Sequence, residues 1–286
     1  MKRAPFALLF ALAACAVKPS VTNQASAIDP FYTQHTSARG IPIMASAKVS
    51  PGAVAAARAM ALGMTAHRPD LARWLMANGW RIAVMAQGEA LLDLPELRHW
   101  RKPARDDPRL TRCELKHYDA RIGRLTDRQY WDARARGTGG QHMVAAEEDV
   151  LGLRPNRYFG ETIFVHEFAH QILAAIRASD PALYGRIERA YARARAAGLW
   201  RDENTLTTVD EYWAEGTQFW FDSNRLQAFD GRRILGHEDV AGYDPALYRL
   251  LGTVYGGSHR LANDPFWKHA ARVPAGPPPR NTAEVC

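Results

Sequence analysis

The stretch His166-Glu167-Phe168-Ala169-His170 decides how this chain is interpreted. Two imidazoles four residues apart on a helix lie on the same face and can bind one zinc ion, and the glutamate beside the first lies where a general base is needed. The alternative is a chance match, in which both histidines are ordinary core residues that are hydrogen-bonded to the backbone.

The sequence around this motif predicts a buried helix. Residues 161–176 are apolar on almost every side, except for a compact patch that contains His166, Glu167, His170 and Gln171. An apolar helix of this kind is buried, and buried polar groups need partners. The polar patch must therefore find partners from elsewhere in the chain.

A hydrolytic zinc site needs a third protein ligand, because two histidines leave it incomplete. In the metzincin pattern this ligand is a histidine ten residues after the first one, with a glycine at the seventh position. This chain has Ile176 and Leu173 at those places, so the metzincin subclass is excluded.

A second helix supplies a carboxylate. Within residues 210–222, one helical face carries the side chains of Glu211, Glu215, Gln218 and Asp222. We predict that Glu211 binds the metal and that Glu215 accepts the outer N–H of a zinc-binding histidine, which holds the tautomer and orientation of the ring. The alternative is a capping box between Thr208 and Glu211 on a solvated helix face.

These motifs resemble those of the anthrax lethal factor-like metallopeptidases, in which the zinc helix is followed some forty-odd residues later by a Glu-aromatic-aromatic-Ala-Glu helix. The matching segments are Tyr158-Phe-Gly-Glu-Thr-Ile-Phe-Val-His-Glu-Phe-Ala-His170 and Glu211-Tyr-Trp-Ala-Glu-Gly216. Segments such as Gly40-Ile-Pro-Ile-Met44 extend the resemblance to secreted bacterial members over about residues 30–265. The resemblance implies a zinc peptidase of the glutamate-zincin type.

One position departs from that pattern. In anthrax lethal factor, a tyrosine seven residues before the ligand glutamate helps to stabilise the transition state. This chain has Asn204 at that position. An oxyanion donor must come from elsewhere, or be weaker. The candidates downstream of the ligand helix, which the sequence does not rank, are Tyr243, Tyr248, Tyr255, His237 and His259.

The N-terminus predicts export. Lys2 and Arg3 precede an apolar run over residues 4–14, as in a secretory signal. The following Leu12-Ala-Ala-Cys15 resembles the bacterial lipobox, after which Cys15 carries a lipid. We therefore expect a signal peptide over 1–14, a lipid anchor and spacer over 15–30, and one metallopeptidase domain over 31–286. A plain signal-peptidase site at Ala14-Cys-Ala16 is the alternative, and it predicts a freely secreted protein.

The remaining cysteines, Cys113 and Cys286, predict one disulfide, because an exported protein folds in an oxidising compartment. Two free thiols are the alternative, since sequence separation does not exclude them.

The formal net charge of +7 is concentrated in arginine. Arg186, Arg189 and Arg193 recur at helical spacing between apolar residues, which predicts the solvated face of an amphipathic helix. Nucleic-acid binding is not expected, because no binding motif accompanies the charge. Beyond the N-terminus there is no run of eighteen apolar residues, so no membrane-spanning segment is expected.

The order of elements predicts an α+β zincin-like fold, with a small sheet in the N-terminal half and a mainly helical C-terminal lobe. Helices are expected from Pro51 and from Leu71, a strand over 80–85, and helices from residue 161 onward. Residues 141–145 form a candidate edge strand for an extended substrate, unless the preceding glycines simply form a mobile loop. The cleft is expected between the zinc helix and the Glu211 helix.

The primary hypothesis is a zinc-dependent endopeptidase that binds one zinc per chain and acts on a peptide or protein substrate at the cell envelope. Glu167 would remove a proton from water and pass it to the leaving amine. One alternative is an envelope protein that binds a partner without turnover, and the presence of Glu167 argues against it. The other is a hydrolase of cell-wall peptide amides, which the sequence does not separate from a protease.

Overall fold

The computed structural model describes residues 28–108, 110, 112–201, 203–229 and 231–276. The predicted signal peptide, the lipidation site Cys15 and the predicted disulfide partner Cys286 lie outside the described residues, and so does the side chain of Cys113. Export, lipid attachment and the disulfide therefore stay predictions.

The N-terminal half contains a four-stranded sheet in the order β1-β2-β3-β4. β1 runs antiparallel to β2, and β2, β3 and β4 are parallel to one another. The strands are β1 (Gln34–Ala38), β2 (Ile41–Ala45), β3 (Arg81–Met85) and β4 (His142–Ala146). The first hairpin turns through Arg39 and Gly40, which both have positive φ, as a two-residue turn that fits the strand twist requires.

Helices supply most of the remaining regular structure in the described part of the chain. They are α1 (Pro51–Met64), α2 (Pro69–Ala77), α3 (Arg112–Lys116), α4 (Asp127–Arg134), α5 (Glu147–Val150), α6 (Ile163–Ser179), α7 (Pro181–Ala196), α8 (Val209–Trp220), α9 (His237–Tyr243) and α10 (Pro245–Tyr255). A small antiparallel hairpin follows α8 and consists of β5 (Gln227–Phe229) and β6 (Arg232–Ile234). The mixed architecture with a small N-terminal sheet agrees with the predicted fold class.

The core lies between the sheet and helix α6. This helix packs against β4, α2 and α8, and its buried residues include Phe164, Phe168 and Ile172. The Asp149 carboxylate accepts the first backbone N–H groups of α6, from Ile163 at 3.1 Å and Phe164 at 3.0 Å. These bonds satisfy donors that a buried helix start would otherwise leave unpaired. α6 is therefore held at its N-terminus as well as along its apolar sides.

Helix α7 has the amphipathic character expected from its arginines. Arg186, Arg189 and Arg193 are exposed, whereas Ile187 and Ala190 are buried. In the described part of the chain, no helix combines the length and the apolar character needed to cross a bilayer.

Candidate metal centre

Three side chains from two helices meet at one point. His166 and His170 project from α6, and Glu211 projects from the first turn of α8; one ligand atom from each lies within 4.8 Å of the others. The two Nε2 atoms are 3.2 Å apart, and Glu211 Oε2 and Oε1 lie 3.2 Å from His166 Nε2 and 3.7 Å from His170 Nε2. Zinc at about 2.0–2.2 Å from each tetrahedral ligand spaces the ligands about 3.3–3.6 Å apart. The donor set and its spacing therefore fit one zinc ion.

The start of α8 explains where Glu211 points. Thr208 caps the helix, because its hydroxyl accepts the backbone N–H of Glu211 at 3.0 Å. This is one of the two hydrogen bonds that form a capping box. The carboxylate of Glu211, however, faces the histidines and accepts a hydrogen bond from Asn204 Nδ2 at 2.7 Å. The cap thus positions Glu211 for the metal site, whereas the solvated helix face of the alternative is wrong, because Glu215 and Gln218 are buried.

The outer nitrogen of His166 is held by Gln218. Nδ1 lies 2.9 Å from Gln218 Oε1, and Gln218 Nε2 donates to the carbonyl of Thr162 at 3.1 Å. Because the amide nitrogen is committed to Thr162, its oxygen faces the ring and accepts from Nδ1. This bond leaves Nε2 facing the other two ligands, as a metal-binding histidine requires.

The predicted role of Glu215 needs correction, because its Oε1 is 4.0 Å from His166 Nδ1. Its carboxylate instead accepts hydrogen bonds from Asn224 at 2.6 Å, Gln227 at 3.1 Å and Asn204 at 3.2 Å. Three amide donors fix the position of Glu215, and Asn204 ties it to Glu211 through a shared nitrogen. Glu215 therefore makes no close hydrogen bond to His166, and it is linked to Glu211 by hydrogen bonds from Asn204.

The glycine segment before β4 passes close to Glu167. A Cβ at Gly139 would lie 3.1 Å from Glu167 Oε2, and one at Gly137 would lie 3.0 Å from Ile163 Cγ2. Between the two glycines, Thr138 pairs with Val144 of β4 through bonds of 3.0 Å and 2.9 Å. β4 is the last strand of the sheet, as expected, but the outward backbone groups of Val144 are already bonded. An extended substrate therefore does not pair with β4 at Val144, which corrects the sequence prediction there.

Burial and the charges of neighbouring groups shift the pKa values of Glu167, His166 and His170. Burial raises the pKa of Glu167 to about 7, with a further increase from Glu211 that His166 opposes. Burial lowers the pKa of His166, but the hydrogen bond to Glu211 and the charges of Glu215 and Glu167 outweigh it and raise the pKa to about 10. Burial and the charge of His166 lower the pKa of His170 to about 4. In the metal-free cluster at neutral pH, His166 is thus protonated and His170 is neutral.

The cluster opens onto a cleft of about 280 Å³ that lies between α6 and α8, as predicted. Its lining includes His166, Glu167, Glu211 and Asn204, and also Tyr158 from the segment before α6.

None of the five predicted oxyanion donors is among the described residues that line this cleft. Tyr243 accepts a bond from Trp200 N at 2.8 Å, and the Tyr255 hydroxyl is buried 3.1 Å from Thr217 Oγ1. His237 is 3.0 Å from Asp222, His259 is 2.9 Å from the Trp220 carbonyl, and the Tyr248 ring packs on Trp220. The tyrosine that does line the cleft is Tyr158, which precedes α6 and is the first residue of the segment that carries the family resemblance.

Comparisons with known proteins add little to this geometry. No protein-family model matches the chain, and no curated protein matches it. Among solved structures, the chain is similar to a PRO-PRO endopeptidase (PPEP-2) from Paenibacillus alvei, with 12% sequence identity and a TM-score of 0.45. The match covers 73% of this chain and 95% of that one. A similarity of this strength does not assign the chain to a family, and membership of the lethal factor-like group stays a prediction.

Proposed function

We propose that this chain is a zinc-dependent peptidase. The observation that supports the proposal most directly is the meeting of His166, His170 and Glu211 within 4.8 Å, in a cleft that Glu167 also lines. Two histidines and a glutamate are a ligand set of catalytic zinc, which keeps a fourth position open. A purely structural zinc site would instead be closed by a fourth protein ligand, and it would not need a carboxylate base beside it.

Zinc in this set would act as a Lewis acid toward the scissile carbonyl and would lower the pKa of water in the cleft. The protein's own proton carrier is Glu167. Burial in the metal-free site raises the pKa of this carboxylate to about 7, toward the range in which a general base can accept and release a proton near neutral pH. Glu167 takes the proton from the attacking water and delivers it to the amine that leaves. Gln218 keeps His166 oriented while this happens.

The metal-free site predicts that zinc binding releases a proton. His166 has a pKa of about 10 without metal, so at neutral pH its Nε2 carries the proton that a ligand must lose. Lower pH favours the protonated ring and therefore weakens binding, and higher pH strengthens it. We expect zinc affinity to rise about tenfold per pH unit between about pH 6 and 9. Chelator-buffered zinc titrations across this range measure it, and a flat profile would contradict the predicted protonation of His166.

We further propose that the peptidase is exported and held at the cell envelope by a lipid on Cys15, with Cys113 and Cys286 joined in a disulfide. These proposals rest on the sequence alone. Either a periplasmic or a surface location places the cleft where peptide or protein substrates of the envelope are accessible.

The test is cleavage of a diverse peptide library by the purified, zinc-loaded full chain. We expect cleavage at internal peptide bonds, loss of activity with a chelator, and recovery when zinc is restored. Cleavage confined to cell-wall peptide crosslinks would favour the amidase alternative. A zinc-loaded wild type that cleaves neither the library nor crosslinked wall peptides would contradict the peptidase proposal and favour a protein that only binds its partner.

A further inference from the structure

The cleft is lined by a tyrosine, Tyr158, that has no role in the mechanism proposed above. Attack on a peptide carbonyl places negative charge on its oxygen, and a fixed hydrogen-bond donor at that oxygen is a large part of catalysis. The resemblance described above implies a tyrosine donor seven residues before Glu211, but this chain has Asn204 there. A donor to the carbonyl oxygen must therefore come from another side chain of the cleft.

The amide side chains of the cleft are already committed. Asn204 Nδ2 donates to Glu211 at 2.7 Å and to Glu215 at 3.2 Å, so both of its N–H groups are used. Gln218 is fully buried, and its Nε2 is held by the Thr162 carbonyl at 3.1 Å. Turning either amide toward a substrate would leave a carboxylate or a buried carbonyl without its donor, which is costly.

Tyr158 is different, because its hydroxyl has no hydrogen-bond partner among the described residues. Tyr158 is half-buried and lines the cleft together with His166, Glu167 and Glu211. The phenolic O–H is therefore the uncommitted side-chain donor of the lining, apart from the titrating groups of the site itself. A half-buried phenol can exchange water for a substrate oxygen without breaking a protein contact.

The backbone around Tyr158 is well anchored. The Tyr158 N–H donates to Asn156 Oδ1 at 2.8 Å, and the Tyr158 carbonyl accepts from Glu161 N at 2.9 Å. Gly160 has a φ of +113°, and a Cβ there would collide with the Ala271 carbonyl oxygen, so the segment lies directly against the C-terminal part of the chain. A donor on such an anchored segment is held in place before the substrate arrives, which is what makes an oxyanion donor effective.

We propose that Tyr158 is a catalytic residue that donates its phenolic hydrogen bond to the substrate carbonyl oxygen as negative charge develops there. The proton stays on the phenol throughout, and no bond to Tyr158 forms or breaks. The proposal rests on the proposed peptidase function, and it assigns the oxyanion role to a residue before the zinc helix.

The experiment compares Tyr158→Phe with the wild type on a peptide that the wild type cleaves. Removal of one oxyanion donor typically lowers kcat by about 10²–10³, and we expect a fall of that size with KM changed little and zinc content unchanged. The control is Tyr248→Phe, which removes the hydroxyl of another half-buried tyrosine that lies outside the cleft; its kcat should equal that of the wild type.

Inhibitor binding provides a readout that does not depend on turnover. A phosphinic analogue of the cleaved peptide has an anionic oxygen where the carbonyl oxygen acquires charge, so its affinity should fall in Tyr158→Phe by a factor similar to that in kcat. The cleaved product peptides should bind equally well to both proteins. If the wild type cleaves peptides and Tyr158→Phe retains its kcat and its affinity for the analogue, the assignment of Tyr158 is wrong while the peptidase function stands. If the zinc-loaded wild type cleaves nothing, both proposals fail together.

Discussion

Replacement of Glu167 by glutamine should abolish most hydrolysis and leave zinc binding intact. Glutamine keeps the size and polarity of the side chain next to His166, but it cannot accept a proton from water. General-base catalysis alone is typically worth about 10²–10⁴ in rate, and the loss should reach the upper part of this range because the same carboxylate also protonates the leaving amine. The measurements are kcat on any peptide that the wild type cleaves and the zinc content of the purified variant.

A second carboxylate of the same cleft supplies the control for this prediction. Glu161 also lines the cleft, but its carboxylate is paired with the guanidinium of Arg225 rather than left free. Burial raises the pKa of Glu161 to about 7 as well, but Arg225 holds its carboxylate, so Glu161→Gln should change kcat by less than about tenfold. Equal kcat in Glu167→Gln and wild type would contradict the general-base role, and equal losses in both variants would indicate a general effect of cleft charge.

The two histidines of the site could be predicted from local sequence, because their i,i+4 spacing on one helix places them together whatever surrounds them. Local sequence could not predict whether Glu215 or Gln218 makes the hydrogen bond to His166 Nδ1. Both side chains lie on the face of α8 that carries Glu211, and which one reaches His166 Nδ1 depends on how α8 packs against α6. Gln218 reaches it at 2.9 Å and Glu215 stays at 4.0 Å. A helical pattern predicts which side chains share a face of α8, but it does not predict how far each of them lies from His166 on α6.

Parts of the sheet escaped prediction for a related reason. β1 is short and polar, with Gln34, Thr36 and Ser37 among its five residues, so it lacks an apolar alternation strong enough to mark a strand. Its pairing with β2 depends on the turn at Arg39 and Gly40. The pairing of Thr138 with Val144 likewise depends on where the glycine segment crosses α6. These contacts depend on how distant segments of the chain pack together, and local sequence patterns contain little information about that packing.

The second large effect is expected from Glu211→Ala, which should lose zinc. Residues that only orient a zinc ligand change metal affinity by about 10–100-fold, so removal of a direct ligand should weaken it by more than about 100-fold. The fold should survive, because Thr208 caps α8 through the backbone N–H of residue 211, which alanine keeps. Zinc affinity from chelator competition, together with the circular dichroism of the zinc-free proteins, separates metal loss from unfolding.

The neighbouring carboxylate provides the matched control for Glu211→Ala. Asp210 precedes Glu211 in the first turn of α8, but it points to the surface and pairs with Arg177 at 3.0 Å. Asp210→Asn removes the same charge from the same helix terminus, where a carboxylate contributes about 0.3–1 kcal/mol, and zinc should stay stoichiometric and tight. If Glu211→Ala also keeps tight, stoichiometric zinc, Glu211 serves only the start of the helix and the third ligand lies elsewhere. The expected result is loss of zinc in Glu211→Ala but not in Asp210→Asn, because the Glu211 carboxylate lies against both histidines whereas Asp210 pairs with Arg177.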